Sequence, residues 1–272
     1  MPIFFCFGLE FARNELPKAF VESKPERNAR MSETNDKTVL CLGASIVQGK
    51  VSSSFVDILS QRMDKDSFHF INEGVAGYQS YNILINLESA IDMRPDFIVI
   101  LVGTNDVTAA LNPGIAGLAR LTNKTPKPPS AQFYHENMLQ IVKTLKEKTS
   151  AKIALVSIPP LGEDLDSQPN GRIREYNEFL NEITNEEQVS YLPVYEKQEE
   201  YLKSNLQTTG RPFKGGILPS LELLVRHFIL GQSFDTISRK KGYLLLTDGI
   251  HMNSRGAAFI ADAVESFLRM NM

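Results

Sequence analysis

The chain has 272 residues, of which 42% are hydrophobic, enough apolar material for one large core and too much for a disordered or collagen-like chain. Its 29 Lys plus Arg stand against 32 Asp plus Glu, a formal net charge of -3 with no long basic stripe, which argues against nucleic acid as a partner. The two cysteines, Cys6 and Cys41, supply neither a disulfide framework nor a Cys-x-x-Cys metal spacing, so a reducing, cytoplasmic setting without cofactor or metal is expected.

Met1 to Leu9 is apolar but has no cationic stretch before it, and it runs into the charged segment Glu10 to Asp36 without a small-residue cleavage site. Residues 1–36 are therefore read as a disordered extension, with Met31 as an alternative start and an organellar or secretory signal as the competing reading. No stretch reaches the roughly 18–20 apolar residues that a membrane span requires. Asn123-Lys124-Thr125 matches a glycosylation sequon, a triplet too common to carry weight.

From Thr38 onward, short apolar runs alternate with longer amphipathic stretches, the pattern of βαβ units that build a parallel sheet covered on both faces. The predicted strands are Thr38–Leu42, Phe68–Asn72, Phe97–Val102, Lys152–Ile158 and Ser190–Val194. Helices are predicted around Phe55–Met63, Tyr81–Ile91, Ala131–Lys148, Arg172–Thr184 and Ser254–Met270. Two segments break the rhythm: a Pro- and Gly-rich loop from Ala109 to Pro129, and a partly helical insertion from Glu196 to Gly242. One domain over residues 37–272 is the simplest organisation.

In such a sheet the ligand site lies beyond the carboxyl ends of the strands. The residues found there are Gly43-Ala44-Ser45 after the first strand, Asn72 to Gly77 after the second, and Gly103-Thr104-Asn105-Asp106 after the third. Asp248-Gly249-Ile250-His251 precedes the last helix. A serine hydroxyl needs a base to take its proton, and the base needs an acceptor on its other nitrogen; Ser45, His251 and Asp248 supply those parts. An oxyanion formed at the attacked carbonyl would meet the backbone N–H groups of Ser45 and Gly77 and the side-chain amide of Asn105.

These four blocks resemble those of the SGNH (GDSL-like) hydrolases, in the same order, across Thr38 to Leu268. The resemblance implies a flavodoxin-like three-layer α/β/α sandwich with a serine nucleophile, glycine and asparagine oxyanion donors, and a histidine–aspartate pair. It also implies an esterase, lipase, thioesterase or carbohydrate deacetylase acting on a small-molecule ester. One departure stands out: Ala44 replaces the aspartate of the family's usual Gly-Asp-Ser.

Singly, each residue has an ordinary reading, Ser45 as a helix cap, Asn105 and Asp106 as turn formers, Gly77 as a turn glycine and Asp248 as a cap; their joint occurrence favours catalysis. His69, His135 and His227 lack such company and read as structural, and Cys41 reads as core. A phosphate-binding loop at Gly43 to Lys50 fails on spacing, because five residues separate its glycines and Val51 follows the lysine. A binding protein that lost activity on this fold is the remaining alternative.

Substrate choice belongs to the pocket walls, for which the expected order is a lipid-like acyl ester, then a carbohydrate O-acetyl group. Within the insertion, Leu218, Leu221, Leu224, Val225, Phe228 and Ile229 recur at helical spacing, with Ser220, Glu222, Arg226 and His227 largely opposite. This stripe is expected to be buried, either as a core helix or as a cap, hinged at Gly215, Gly216 and Gly231, whose Leu224 and Phe228 line the acyl pocket.

Overall fold

The computed structural model describes residues 36–272 apart from 113, 115–116, 118–124, 207–209 and 217. The expected N-terminal extension, Met31, Cys6 and the Asn123-Lys124 pair of the sequon thus lie outside the described residues. Five strands form one all-parallel sheet: β1 Lys37–Gly43, β2 Phe68–Gly74, β3 Phe97–Leu101, β4 Lys152–Val156 and β5 Ser190–Leu192. Their order is β2-β1-β3-β4-β5, the flavodoxin-like arrangement, and each of the five predicted strands is present.

Side chains alternate across a strand, so the central strands are apolar on both faces and feed two cores. Val39 and Cys41 of β1 and Val99 of β3 face one core, with α1 (Ser45–Gln48), α2 (Phe55–Arg62), α8 (Val194–Asn205) and α11 (Ser254–Met270). Leu40 and Leu42 of β1 with Ile98 and Ile100 of β3 face the other. That side is covered by α3 (Ser80–Ile85), α4 (Leu87–Asp92), α5 (Thr104–Leu111), α6 (Ala131–Lys148) and α7 (Gln168–Glu187). Cys41 is fully buried, and burial pushes its thiol up to about 12, as suits a core residue.

Helix boundaries follow the caps. Ser130 accepts a hydrogen bond from the Phe133 amide and Asn253 one from the Gly256 amide, so α6 and α11 have the predicted limits. Tyr81–Ile91 instead divides at Asn86 into α3 and α4, and the stretch after Gly103, for which no helix is predicted and which from Ala109 is read as loop, forms α5 as far as Leu111. The inserted segment holds most of α8, then α9 (Leu218–Leu224) continuing as a π-helical turn (Val225–Ile229), then α10 (Phe234–Lys241). Among the described residues no helix is long and apolar enough to cross a membrane.

Candidate active site

Ser45 opens α1 directly after β1. A side chain at Gly43 would run into the Leu101 carbonyl and the Val47 side chain, so glycine is what lets β3 and α1 close around the serine turn. His251 Nε2 lies 2.9 Å from Ser45 Oγ, and His251 Nδ1 lies 2.9 Å from Asp248 Oδ2. Residues 206 positions apart are thus joined in one hydrogen-bonded chain.

The Asp248 carboxylate is oriented by its own turn. Oδ1 accepts the amides of Ile250 (3.0 Å) and His251 (2.9 Å), and Thr247 donates its amide and hydroxyl to the His251 carbonyl. Burial alone pushes this carboxyl up, but the hydrogen bond and charge of His251, with those two amides, outweigh it and hold the group at about 2. An acceptor held ionised on Nδ1 leaves Nε2 as the nitrogen that can receive a proton from Ser45.

Gly77 and Asn105 come together beyond β2 and β3. Gly77 has φ +82°, and nothing lies within 4 Å of where a side chain would project; the backbone conformation requires glycine there, not crowding. The Asn105 amide donates to the Tyr78 carbonyl at 2.8 Å, placing the asparagine against the peptide that follows Gly77. Asp106, for which a turn former is the ordinary reading, is a buried clamp. It accepts the Ser80 amide and, at 2.6 Å, the Ser80 hydroxyl, while Asn137 donates to that hydroxyl. Burial pushes the Asp106 carboxyl up to about 7 despite the Ser80 bonds.

Three residues with no sequence signal hold the histidine loop in place. Ser52 accepts the Met252 amide at 3.0 Å and the Ser53 amide reaches the Met252 carbonyl, tying the loop after α1 to the neighbour of His251. Glu163, fully buried after β4, accepts the amides of Leu244, Leu245 and Leu246 at 2.7–3.0 Å, immediately before Asp248. The preceding Gly162 amide bonds the Gly249 carbonyl at 2.8 Å. Burial raises the Glu163 carboxyl and the three amides draw it back. Ser220 of α9 donates to Asp248 Oδ2 at 3.1 Å.

That last bond reverses the expected facing of α9. Ser220 and Leu223 point inward, Leu223 being buried, and the apolar stripe expected to be buried faces solvent. Leu224 is 39% and Phe228 61% exposed, so neither is enclosed in the acyl pocket expected of them. His227 is structural in its contacts, with Nδ1 2.9 Å from the Gln232 carbonyl and its ring stacked on Phe234. His135 lies against Phe179, and His69 is exposed on the edge strand. Among the described residues no group of three or more His, Cys, Asp or Glu is placed to hold a metal ion.

The family model for GDSL-like lipases and acylhydrolases matches residues 41–259. Sequence comparison with curated proteins found no match. Among solved structures, the acetyl xylan esterase AlAXEase superposes with a TM-score of 0.60 at 18% identity, covering 84% of this chain and 98% of that one. Axe2, an acetylxylan esterase from Geobacillus stearothermophilus, gives 0.61 at 15% identity, covering 85% and 93%. LAE5, an alpha/beta hydrolase enzyme from the metagenome of Lake Arreo, Spain, gives 0.59 at 14% identity, covering 86% and 94%. At these identities the structural likeness establishes the fold, while the family model, spanning every motif from the serine turn to His251, establishes the class. This chain belongs to the GDSL-like lipase/acylhydrolase family and is an ester-bond hydrolase.

Proposed function

We propose that the chain hydrolyses carboxylic esters through an acyl-enzyme intermediate on Ser45, with His251 as general base and Asp248 as its orienting partner. The observation that carries this reading is the unbroken hydrogen-bonded chain from Ser45 Oγ through both imidazole nitrogens to Asp248 Oδ2, each link 2.9 Å long. As Ser45 Oγ attacks the acyl carbon, its proton passes to His251 Nε2, and the carbonyl electrons move onto oxygen. The Ser45 and Gly77 backbone N–H groups and the Asn105 amide are the proposed donors to that oxyanion. Collapse breaks the bond to the leaving alcohol, which takes the proton from His251. Water, deprotonated by the same nitrogen, then releases the carboxylic acid and restores Ser45.

For substrate we propose a lipid-like acyl ester. The outward apolar face of α9, the helix that bonds Asp248 through Ser220, favours it, and the catalytic chemistry itself is indifferent to acyl length. Removal of O-acetyl groups from a carbohydrate is the second reading, favoured by the likeness in fold to two acetyl xylan esterases. A fluorophosphonate probe should label Ser45 alone, and Ser45→Ala should fold normally yet lose turnover; labelling elsewhere, or a folded and active Ser45→Ala protein, refutes the triad. p-Nitrophenyl esters of increasing acyl length, assayed beside lysophospholipid and acetylated xylo-oligosaccharide, separate the two substrates by where kcat/KM peaks.

A further inference from the structure

Among the described residues, seven of the eleven large hydrophobic side chains that stand exposed lie between Leu218 and Leu230. Leu218 and Ile229 are each 74% exposed and Phe228 is 61% exposed. One polar and one apolar contact fix this outward facing, for α9 turns Ser220 toward Asp248 and Leu223 into the interior. A contiguous apolar face of this kind is uncommon on a protein that meets only water.

The charges around the face are predominantly positive. Residues 211–242 carry six basic side chains, Arg211, Lys214, Arg226, Arg239, Lys240 and Lys241, against two acidic ones, in a chain whose net charge is -3. Of the two acids, Glu222 is already matched on both sides, by Arg226 at 2.7 Å and Lys241 at 2.9 Å. The second bond ties the last turn of α10 to α9, so Arg239 and Lys240, both exposed, stand on a turn anchored to the helix that carries the stripe. Arg211, also exposed, has its guanidinium against Gly242 at the end of that turn. An exposed apolar stripe beside a basic cluster is the pattern of a segment that lies in the plane of an anionic lipid surface, its apolar residues among the acyl chains and its cations at the headgroups.

We propose that α9, the π-helical turn after it and the basic end of α10 form a docking face for a negatively charged lipid surface. Ser220 bonds Asp248 from the inner side of the same helix, so docking sets the lipid surface next to the catalytic rim. The inference rests on the ester-hydrolase reading only for what happens after docking, when acyl esters in that surface become the substrate.

The test uses the full chain and vesicles of ether-linked lipids, which an esterase cannot consume, made of phosphatidylcholine alone or mixed with phosphatidylglycerol. Sedimentation should show binding to the anionic mixture that weakens with salt. Phe228→Asp/Ile229→Asp should cut partitioning by about tenfold or more, since it removes two insertable side chains. Arg239→Glu/Lys240→Glu should weaken binding to the anionic mixture, and both variants should hydrolyse dissolved p-nitrophenyl acetate as wild type does. No binding to anionic vesicles, or binding that neither variant reduces, overturns the proposal. So does a dimer in solution that Phe228→Asp/Ile229→Asp dissolves, which would give the face to a second copy of the chain. Vesicle binding with no ester hydrolysis would instead sink the catalytic reading, and ester hydrolysis without vesicle binding would sink only this one.

Discussion

Removing the Glu163 carboxylate should loosen the Asp248–His251 loop from behind. In Glu163→Ala the amides of Leu244, Leu245 and Leu246 lose their acceptor. Each buried unpaired amide costs about 1–3 kcal/mol, and relief of the desolvation of a fully buried carboxylate offsets part of the sum. A net loss of about 4 kcal/mol results, which for a domain of this size lowers Tm by roughly 8–16 °C. Glu163→Gln should lose less: the oxygen in the Oε1 position still accepts from Leu244, Leu245 and Leu246, and the cost is the new amide group set donor to donor against the Leu244 N–H in the Oε2 position. Because the released amides run directly into Asp248, kcat should fall while KM changes little. Calorimetry gives the stability, and p-nitrophenyl acetate kinetics well below the lowered Tm give the catalytic part. A Glu163→Ala protein with unchanged Tm would refute the clamp; one with lowered Tm and full kcat would confine Glu163 to stability.

Asp106 makes stability pH-dependent in a stated direction: its folded value, about 7, lies above the ordinary 3.8, so the stability that goes with its proton is complete below about 4 and lost as pH rises through about 7. Asp106→Asn should flatten that part of the Tm–pH profile, and an unchanged profile would count against it. Asn105→Ala should lower kcat by roughly 10²- to 10³-fold with little effect on KM, as for loss of one oxyanion donor; a rise in KM alone would make it a binding residue. Asp248 has the opposite shift to Asp106, from 3.8 down to about 2, so its contribution to stability is present above 3.8 and lost as pH falls through about 2. It stays ionised through the working range, so the acid limb of log kcat/KM should carry no ionisation of Asp248; an inflection in that limb that disappears in Asp248→Asn would refute this. Asp248→Asn should cost about 10⁴-fold in kcat by stabilising the wrong tautomer of His251.

Much of the scaffold was legible because it is repetitive. Buried parallel strands such as Phe97–Leu101 are continuous apolar runs, and Ser130 and Asn253 mark helix starts by a chemistry that operates within three residues. The same locality made Asp248 and His251 recognisable as a pair, three positions apart on one turn, and the four blocks recognisable as a family pattern. Local reasoning failed where the deciding partner is remote. Nothing near Asn86 announces that the helix divides there, and nothing in the turn around Glu163 announces that its carboxylate gathers amides more than eighty positions away. Amphipathicity located the α9 segment and misjudged its facing. An apolar stripe prefers burial only by its area, whereas Ser220 found a charged acceptor on Asp248 and Leu223 an enclosed site, and these two contacts turned the larger apolar face outward. Periodicity along a chain specifies which side chains share a face. Which way that face looks is decided by what the rest of the fold brings against it.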